Sequence, residues 1–149
     1  MKKYLTPTVG LFIGCALASI LFHLTFPYLN VLTTPITYVG VLLILIGIIL
    51  DSWASKLFNQ ASTPVQPGKT PLSLVTTGPY EYSRNPMYIG MTLMLIGLSV
   101  FLGSLTAFIP AVAFVLVANF WFVPMEEQVL NEEFSEEYSE YTSRVRRWL

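Results

Sequence analysis

Four apolar runs dominate the hydrophobic pattern of this chain, at about residues 9–28, 35–50, 87–102 and 106–123. The first run has about the 20 residues that a helix needs to cross a bilayer. In the second run, Gly40 and Gly47 lie seven residues apart, a spacing that places small residues on one helix face and favours close helix packing in lipid. The pattern predicts an all-α integral membrane helical bundle, a single domain with about four transmembrane helices.

Two polar segments complete the pattern. Residues 51–86 predict a cytoplasmic loop, with Asp51 at the end of the second span. Residues 126–148 predict a C-terminal amphipathic helix, because apolar side chains recur at spacings of three and four. That stripe comprises Leu130, Phe134, Tyr138, Tyr141, Val145 and Trp148. Five glutamates fall mostly on the other, solvated face, and we expect Arg144, Arg146, Arg147 and Trp148 at the membrane surface.

The composition agrees with a membrane protein, since only 11% of the residues are charged and 54% are hydrophobic. A soluble domain has about 25% charged residues. We see no basic stripe that could bind nucleic acid. The single cysteine, Cys15, excludes an internal disulfide and a cysteine-based metal cluster. His23 stands in an apolar run without other ligand residues, so we interpret it as a packing or interfacial histidine and predict no metal site.

The positions of the charges predict the topology. Every Lys, Arg, Asp and Glu lies at the N-terminus, within residues 51–84, or after Pro124. Four spans place these three regions on one side, and the positive-inside rule makes that side cytoplasmic, with both termini. The small size and simple layout favour a prokaryotic inner membrane.

The stretch Leu72–Gly90, LSLVTTGPYEYSRNPMYIG, is the most distinctive part of the sequence. Gly78 and Pro79 predict a turn. Asn85 and Pro86 predict a helix start, with Asn85 as the N-cap. The free N–H groups of such a helix terminus favour an anion. The alternative is a loop that only introduces the next helix.

The predicted topology brings this stretch to the same membrane face as Glu126 and Glu127. Paired acids at the mouth of a membrane helix are costly without a ligand or partner, and Arg84 is a candidate structural partner. Together, an acid pair, a helix N-terminus and tyrosine faces suit a ligand with an amine, a carboxylate, a positive centre and a flat base. S-adenosylmethionine has these features, and a zwitterionic lipid headgroup would fit nearly as well.

LVTTGPYEYSRNPMYIG, a hydrophobic hairpin and EEQVLNEEFSEEYSEYTSRVRRWL together resemble the isoprenylcysteine carboxyl methyltransferase and phospholipid methyltransferase superfamily. The resemblance covers roughly residues 70–149. It departs from the usual pattern in three places. Asn85 stands where many members have His, Phe122 replaces an arginine thought to engage the substrate of the carboxyl methyltransferases, and Ser135 replaces a glycine. We expect the last change to matter little, while Phe122 weakens the case for an isoprenylcysteine carboxylate.

The resemblance implies site residues position by position. Tyr80 and the backbone of Leu72, Ser73, Leu74 and Val75 would hold the adenosine side of S-adenosylmethionine. The methionine moiety would contact Asn85, Pro86, Met87, Tyr88 and Glu126. Arg84 and Glu127 are candidate catalytic residues that orient the acceptor's polar head or handle a proton.

The leading hypothesis is an S-adenosylmethionine-dependent methyltransferase that acts on a lipid or hydrophobic small molecule at the cytoplasmic face. Both carboxyl O-methylation and amine N-methylation remain open, and no protein partner is predicted. One alternative is a nicotinamide-dependent reductase, because membrane sterol reductases have a related C-terminal half. Another is a non-catalytic scaffold or transporter, although polar residues within the spans are sparse.

Overall fold

The computed structural model describes residues 7–26, 31–61 and 72–149, and in these ranges it contains helices and no strand. The predicted end of the first span near Tyr28 and residues 62–71 of the predicted loop lie outside the described residues. The elements in chain order are α1 (Pro7–Thr25), α2 (Tyr38–Gln60), a 3-10 turn (Gly78–Glu81), α3 (Pro86–Leu102), α4 (Phe108–Val117), a π-helix (Ala118–Phe122) and α5 (Val123–Arg144). The predicted all-α class is therefore confirmed.

Three of the described helices are long and apolar enough to cross a membrane. They are α1, α2 and the continuous helix Phe108–Arg144 that α4, the π-helix and α5 form together. Helix α3 is equally apolar but has only 17 residues. These helices correspond to the four predicted apolar runs and make the protein an integral membrane helical bundle.

Helices α2 and α3 pack backbone against backbone through glycines. A Cβ atom added to Gly40 would lie 2.3 Å from the Gly97 carbonyl oxygen, and one added to Gly47 would lie 2.6 Å from the Gly90 carbonyl oxygen. The close packing predicted for Gly40 and Gly47 is confirmed. Because the two contacts run in opposite order along the helices, the pair is antiparallel, and the end of α2 lies beside the start of α3.

Polar side chains within the spans serve the packing of α1, α3 and the segment before α4. The hydroxyls of Ser19 and Ser99 both donate to the carbonyl oxygen of Ala107, at 2.9 and 2.7 Å. Both serines are fully buried. Hydrogen bonds of this kind satisfy hydroxyls that lipid could not, so these residues join helices.

The predicted loop 51–86 is wrong in its first part, because α2 continues through Asp51 to Gln60. An acid can end the lipid-immersed part of a helix without breaking its backbone hydrogen bonds. The added turns also have something to pack against: Leu57 and Trp53 lie 3.0 and 3.3 Å from where a Gly78 side chain would be. Helix α2 thus extends beyond the apolar run and supports the 3-10 turn.

The predicted amphipathic helix also has different ends. It begins at Val123 as a continuation of α4, and it stops at Arg144, where Val145 turns to an extended conformation. Five residues of the predicted stripe form one cluster as expected, with Tyr138, Tyr141 and Val145 buried and Leu130 and Phe134 packed on them. Trp148 leaves the stripe and packs on the cluster that contains Tyr88 and Phe114. We call residues 145–149 the strap.

Helix α5 is kinked at Ser135, which has a φ of 31°. A positive φ is strained for any residue with a side chain and is easily adopted by glycine. Glycine is therefore the favourable residue at this position, and Ser135 strains the backbone more than the sequence indicated.

Replacing Ser135 by glycine should therefore stabilise the protein, by about 1 kcal/mol. The measurement is thermal unfolding in detergent of the wild type and Ser135→Gly. Ser139→Gly, at a position with ordinary helical conformation, is the matched control and should destabilise. A lower unfolding temperature for Ser135→Gly would contradict the strain.

Candidate functional site

The start of α3 is the first component of the site. Asn85 occupies the N-cap position and Pro86 begins the helix, as predicted. The Asn85 side chain does not cap the helix, however, and its amide nitrogen donates to the backbone oxygen of Arg147 at 2.9 Å. The Asn85 side chain thus bonds to the strap and not to the N–H groups at the start of α3. The N–H groups of the first turn keep their capacity to bind an anion.

Glu126 is the second component, and it meets α3 as the topology predicted. The Tyr88 hydroxyl donates to Glu126 Oε1 at 2.8 Å. Tyr88 is buried, with 6% of its surface exposed, and its ring packs near Phe114 at a centroid distance of 6.5 Å. A fixed phenol on the first turn of α3 therefore holds one oxygen of the carboxylate.

The environment of Glu126 changes its protonation. Burial is the largest effect on this carboxyl and raises its pKa to about 7. The hydrogen bond from Tyr88 lowers the pKa, and the charge of Glu127 raises it by a smaller amount. Glu126 lies after the apolar run 106–123, on the polar part of the helix. A carboxyl with such a pKa is favourably neutralised by a cationic ligand.

Binding of a cationic amine at Glu126 should therefore depend on pH. Since the carboxylate form binds the ammonium, affinity should be highest near pH 8 and fall about tenfold per pH unit below about pH 6. The measurement is calorimetric titration of S-adenosylhomocysteine across this range, with Glu126→Gln as the control that lacks the transition. Equal affinity at both ends of the range would show that Glu126 does not titrate on binding.

Glu127 has a different environment, although it is the next residue. Its Oε1 lies 3.2 Å from Nη1 of Arg84 and accepts from Nε of Arg147 at 3.2 Å, and its Oε2 pairs with Arg147 as well. The side chains of Glu127 and Arg84 are both only 17% exposed. The predicted Arg84 partner is found, and Arg147, which we expected at the membrane surface, is a second one.

The strap holds the segment before α3 in place. The amide of Arg84 donates to the oxygen of Arg146 at 3.0 Å, and the Ser83 hydroxyl donates to the oxygen of Arg147 at 3.2 Å. Trp148 donates from its indole nitrogen to Oδ1 of Asn119 at 2.9 Å. Sequence reasoning missed these anchors. Two of them accept at backbone oxygens, which leave no signal in residue type, and the third joins side chains that are 29 residues apart.

The predicted adenosine-side residues lie around the 3-10 turn. Tyr80 is 5% exposed, contacts the Phe58 ring edge-on at 5.4 Å between centroids, and accepts at its backbone oxygen from the Tyr141 hydroxyl at 2.8 Å. Burial raises the pKa of its phenol, with further contributions from Tyr141, Glu126 and Asp51.

The segment Leu72–Val75 makes contacts of another kind. Leu72 is exposed, the Ser73 hydroxyl donates to the Ala61 oxygen at 3.2 Å, and Leu74 packs on the tyrosine cluster of α5. Among the contacts described, none joins these side chains to Glu126, and a role of their backbone in binding stays a prediction. Phe122 is partly buried and packs on the core cluster that holds Tyr88.

The fold of this protein is similar to that of a solved membrane methyltransferase. A solved structure titled as the eukaryotic intramembrane Ras methyltransferase ICMT (isoprenylcysteine carboxyl methyltransferase) superposes with a TM-score of 0.65 at 23% identity. The match covers 91% of this chain and 49% of that chain, so this protein spans about half the length of its structural relative and shares its fold.

Sequence comparison adds a family. An uncharacterized protein of Haemophilus influenzae is 36% identical over 63 residues, which are 42% of this chain and all of that protein. The family model described as phospholipid methyltransferase matches residues 35–137, a range that contains α2, α3 and the Tyr88–Glu126 pair. This chain therefore belongs to the phospholipid methyltransferase family of integral membrane methyltransferases.

Proposed function

We propose that this protein transfers a methyl group from S-adenosylmethionine to a lipid or hydrophobic small molecule at the cytoplasmic face of a prokaryotic inner membrane. The observation that carries the proposal is the Tyr88–Glu126 hydrogen bond beside the first turn of α3. It joins a carboxylate to a side chain of the first turn of α3, and the Asn85 side chain does not cap the backbone N–H groups of that turn. Those two groups are complementary to the ammonium and carboxylate of one amino acid.

The residues present fit the methionine end of this cofactor. Glu126 would hold the ammonium, and the amides of Met87 and Tyr88 would hold the carboxylate, since the Asn85 side chain leaves the helix terminus uncapped. Tyr80, buried beside Phe58, would border the adenosine side. When bound, the sulfonium supplies a methyl group already activated for transfer, so the protein's task is to align the acceptor and exclude water.

Arg84 and Glu127 were predicted to be catalytic, and their geometry supports a positioning role. Both are held in an ion-pair cluster with Arg147, and Glu127 directly follows Glu126 in the sequence. A cluster of this kind fixes the loop before α3 relative to α5. The polar head of an acceptor that enters sideways from the bilayer would reach this side of the site, and Phe122 makes its neighbourhood apolar.

The test is calorimetric titration of the detergent-purified protein with S-adenosylhomocysteine, followed by the same titration with NADPH. We expect micromolar affinity for the first ligand and no heat from the second. Binding of NADPH alone would favour the reductase alternative. Binding of neither ligand to protein shown by circular dichroism to be folded would favour a scaffold or transporter.

A further inference from the structure

The π-helix is a turn of the long helix Phe108–Arg144 that is wider than its neighbours. The amide of Val123 donates to the oxygen of Ala118, five residues earlier, so this turn holds one residue more than an α-helical turn. Each residue of an α-helix advances the direction of the side chains by about 100°. The residues after the π-helix are therefore displaced by one position from where an uninterrupted α-helix would place them.

This displacement decides which side chain meets Tyr88. Glu126 takes the direction that Met125 would have in an uninterrupted α-helix, and Glu127 takes the direction that Glu126 would have. In the structure the Tyr88 hydroxyl donates to Glu126 at 2.8 Å, whereas Met125 is 49% exposed. Without the π-helix, a thioether would face the phenol, and Glu126 would take the place of Glu127 in the ion-pair cluster.

Pro124 gives the π-helix a local cause. Proline has no N–H to donate to the carbonyl four residues earlier, here that of Phe120, and its ring clashes with that carbonyl in a regular helix. Pro124 therefore explains why the helix is disturbed at this place. The form of the disturbance needs a second cause, because proline commonly produces a kink or a break.

The strap supplies the second cause. The indole nitrogen of Trp148 donates to Oδ1 of Asn119, the second residue of the π-helix, at 2.9 Å. Trp148 also packs on the buried cluster that contains Ala118, Val123 and Tyr88. One side chain of the strap thus bonds to the π-helix and lies against the cluster that holds both ends of its widened hydrogen bond.

We infer that Asn119 and Trp148 are positioning residues that hold the π-helix and thereby present Glu126, and not Met125, to the cofactor. The inference rests on the proposed function, since it concerns the group that would hold the cofactor's ammonium. Neither residue has to touch the cofactor. Their bond acts through the direction of the helix, and losing either partner leaves the π-helix with Pro124 as its local cause alone.

The test compares two chains that differ by one residue. Asn119→Leu combined with Pro124→Ala removes both causes of the π-helix, so the helix should become regular and turn the acid away from Tyr88. Deleting Phe120 from this double variant should remove the extra residue and bring the acid back. Phe120 is 74% exposed, so its deletion leaves no cavity in the core.

The readout is calorimetric titration of each variant, shown by circular dichroism to be folded, with S-adenosylhomocysteine and with 5′-methylthioadenosine. The second ligand has the nucleoside and the thioether but no amino-acid end. We expect the double variant to bind S-adenosylhomocysteine at least about tenfold more weakly than the wild type, the loss of one charge-assisted contact. The chain without Phe120 should regain the wild-type affinity, and the affinity for 5′-methylthioadenosine should stay the same throughout.

Single substitutions test the strap by itself. Trp148→Phe keeps an aromatic ring and removes the indole N–H, so it should weaken S-adenosylhomocysteine binding and leave 5′-methylthioadenosine binding unchanged. Trp121→Phe is the matched control, because Trp121 belongs to the same π-helix and is 67% exposed. Unchanged S-adenosylhomocysteine affinity in the folded double variant would overturn the inference. A further loss on deletion of Phe120, or an equal loss for both ligands, would show a purely structural role and overturn it too.

A measurement without ligand separates the inference from the proposed function. Met125→Cys should react with a water-soluble maleimide in the wild-type background, where this position is exposed, and should be protected in the double variant. Cys15 is buried, so it contributes little background. Equal reaction in both backgrounds would overturn the inference. Failure of the wild type to bind S-adenosylhomocysteine would instead reject the proposed function.

Discussion

Glu126→Gln should weaken the binding of S-adenosylhomocysteine by about 10- to 150-fold, which corresponds to the 1.5–3 kcal/mol of a charge-assisted hydrogen bond. The substitution keeps the shape of the side chain and an oxygen that Tyr88 can donate to, so the Tyr88 contact at 2.8 Å can persist. What it removes is the negative charge that would hold the ammonium. Calorimetric titration of both proteins in the same detergent measures the difference.

The matched control for this prediction is Glu132→Gln. Glu132 is exposed on the same helix, and it accepts a hydrogen bond from Gln128 at 2.8 Å. Its neutralisation removes the same charge from α5 without touching the site, so the affinity should not change. Equal affinity of the wild type and folded Glu126→Gln would show that Glu126 contacts no cationic group of the ligand.

Glu127→Gln should instead lower stability, by about 3 kcal/mol or more, because it leaves two partly buried guanidinium groups without their shared carboxylate. The loop before α3 and the strap would lose the charge that joins them. For a chain of this size the unfolding temperature should fall by about 10 °C. Tryptophan fluorescence during heating in detergent measures it.

An exposed ion pair on the same helix provides the comparison for Glu127. Glu140 and Arg144 lie 3.4 Å apart with side chains about 70% exposed. Exposed pairs contribute about 0–1 kcal/mol, so Glu140→Gln should change the unfolding temperature little. If the two substitutions had the same small effect, the Arg84–Glu127–Arg147 cluster would be solvated and would not hold the strap.

The two acids of the Glu126–Glu127 pair show how far residue type alone could predict the site. The predicted topology brought both acids to the Leu72–Gly90 stretch, and both contact it. On a helix, however, neighbours point about 100° apart. That rotation directs one carboxylate to Tyr88 and the other to two arginines. Their different contacts follow from this separation, which the sequence pattern did not resolve.

Features that depend on local composition and spacing could be predicted from the amino-acid sequence. The apolar runs predicted the helices, Gly40 and Gly47 predicted a close helix contact, and Pro86 predicted the start of α3. These predictions succeed because lipid requires every backbone polar group to bond within its own segment, which leaves helices as the solution for each run.

Which polar side chains pair with one another depends on the tertiary structure. The Asn85 side chain donates to the strap, although the sequence predicted that it caps a helix. Arg147 pairs with Glu127, although the sequence predicted that it lies at the membrane surface. Asp51 stays within α2 and lies beside Gly90. Each outcome depends on competition between distant donors and acceptors for the same positions, and only the folded chain brings those groups within hydrogen-bond distance.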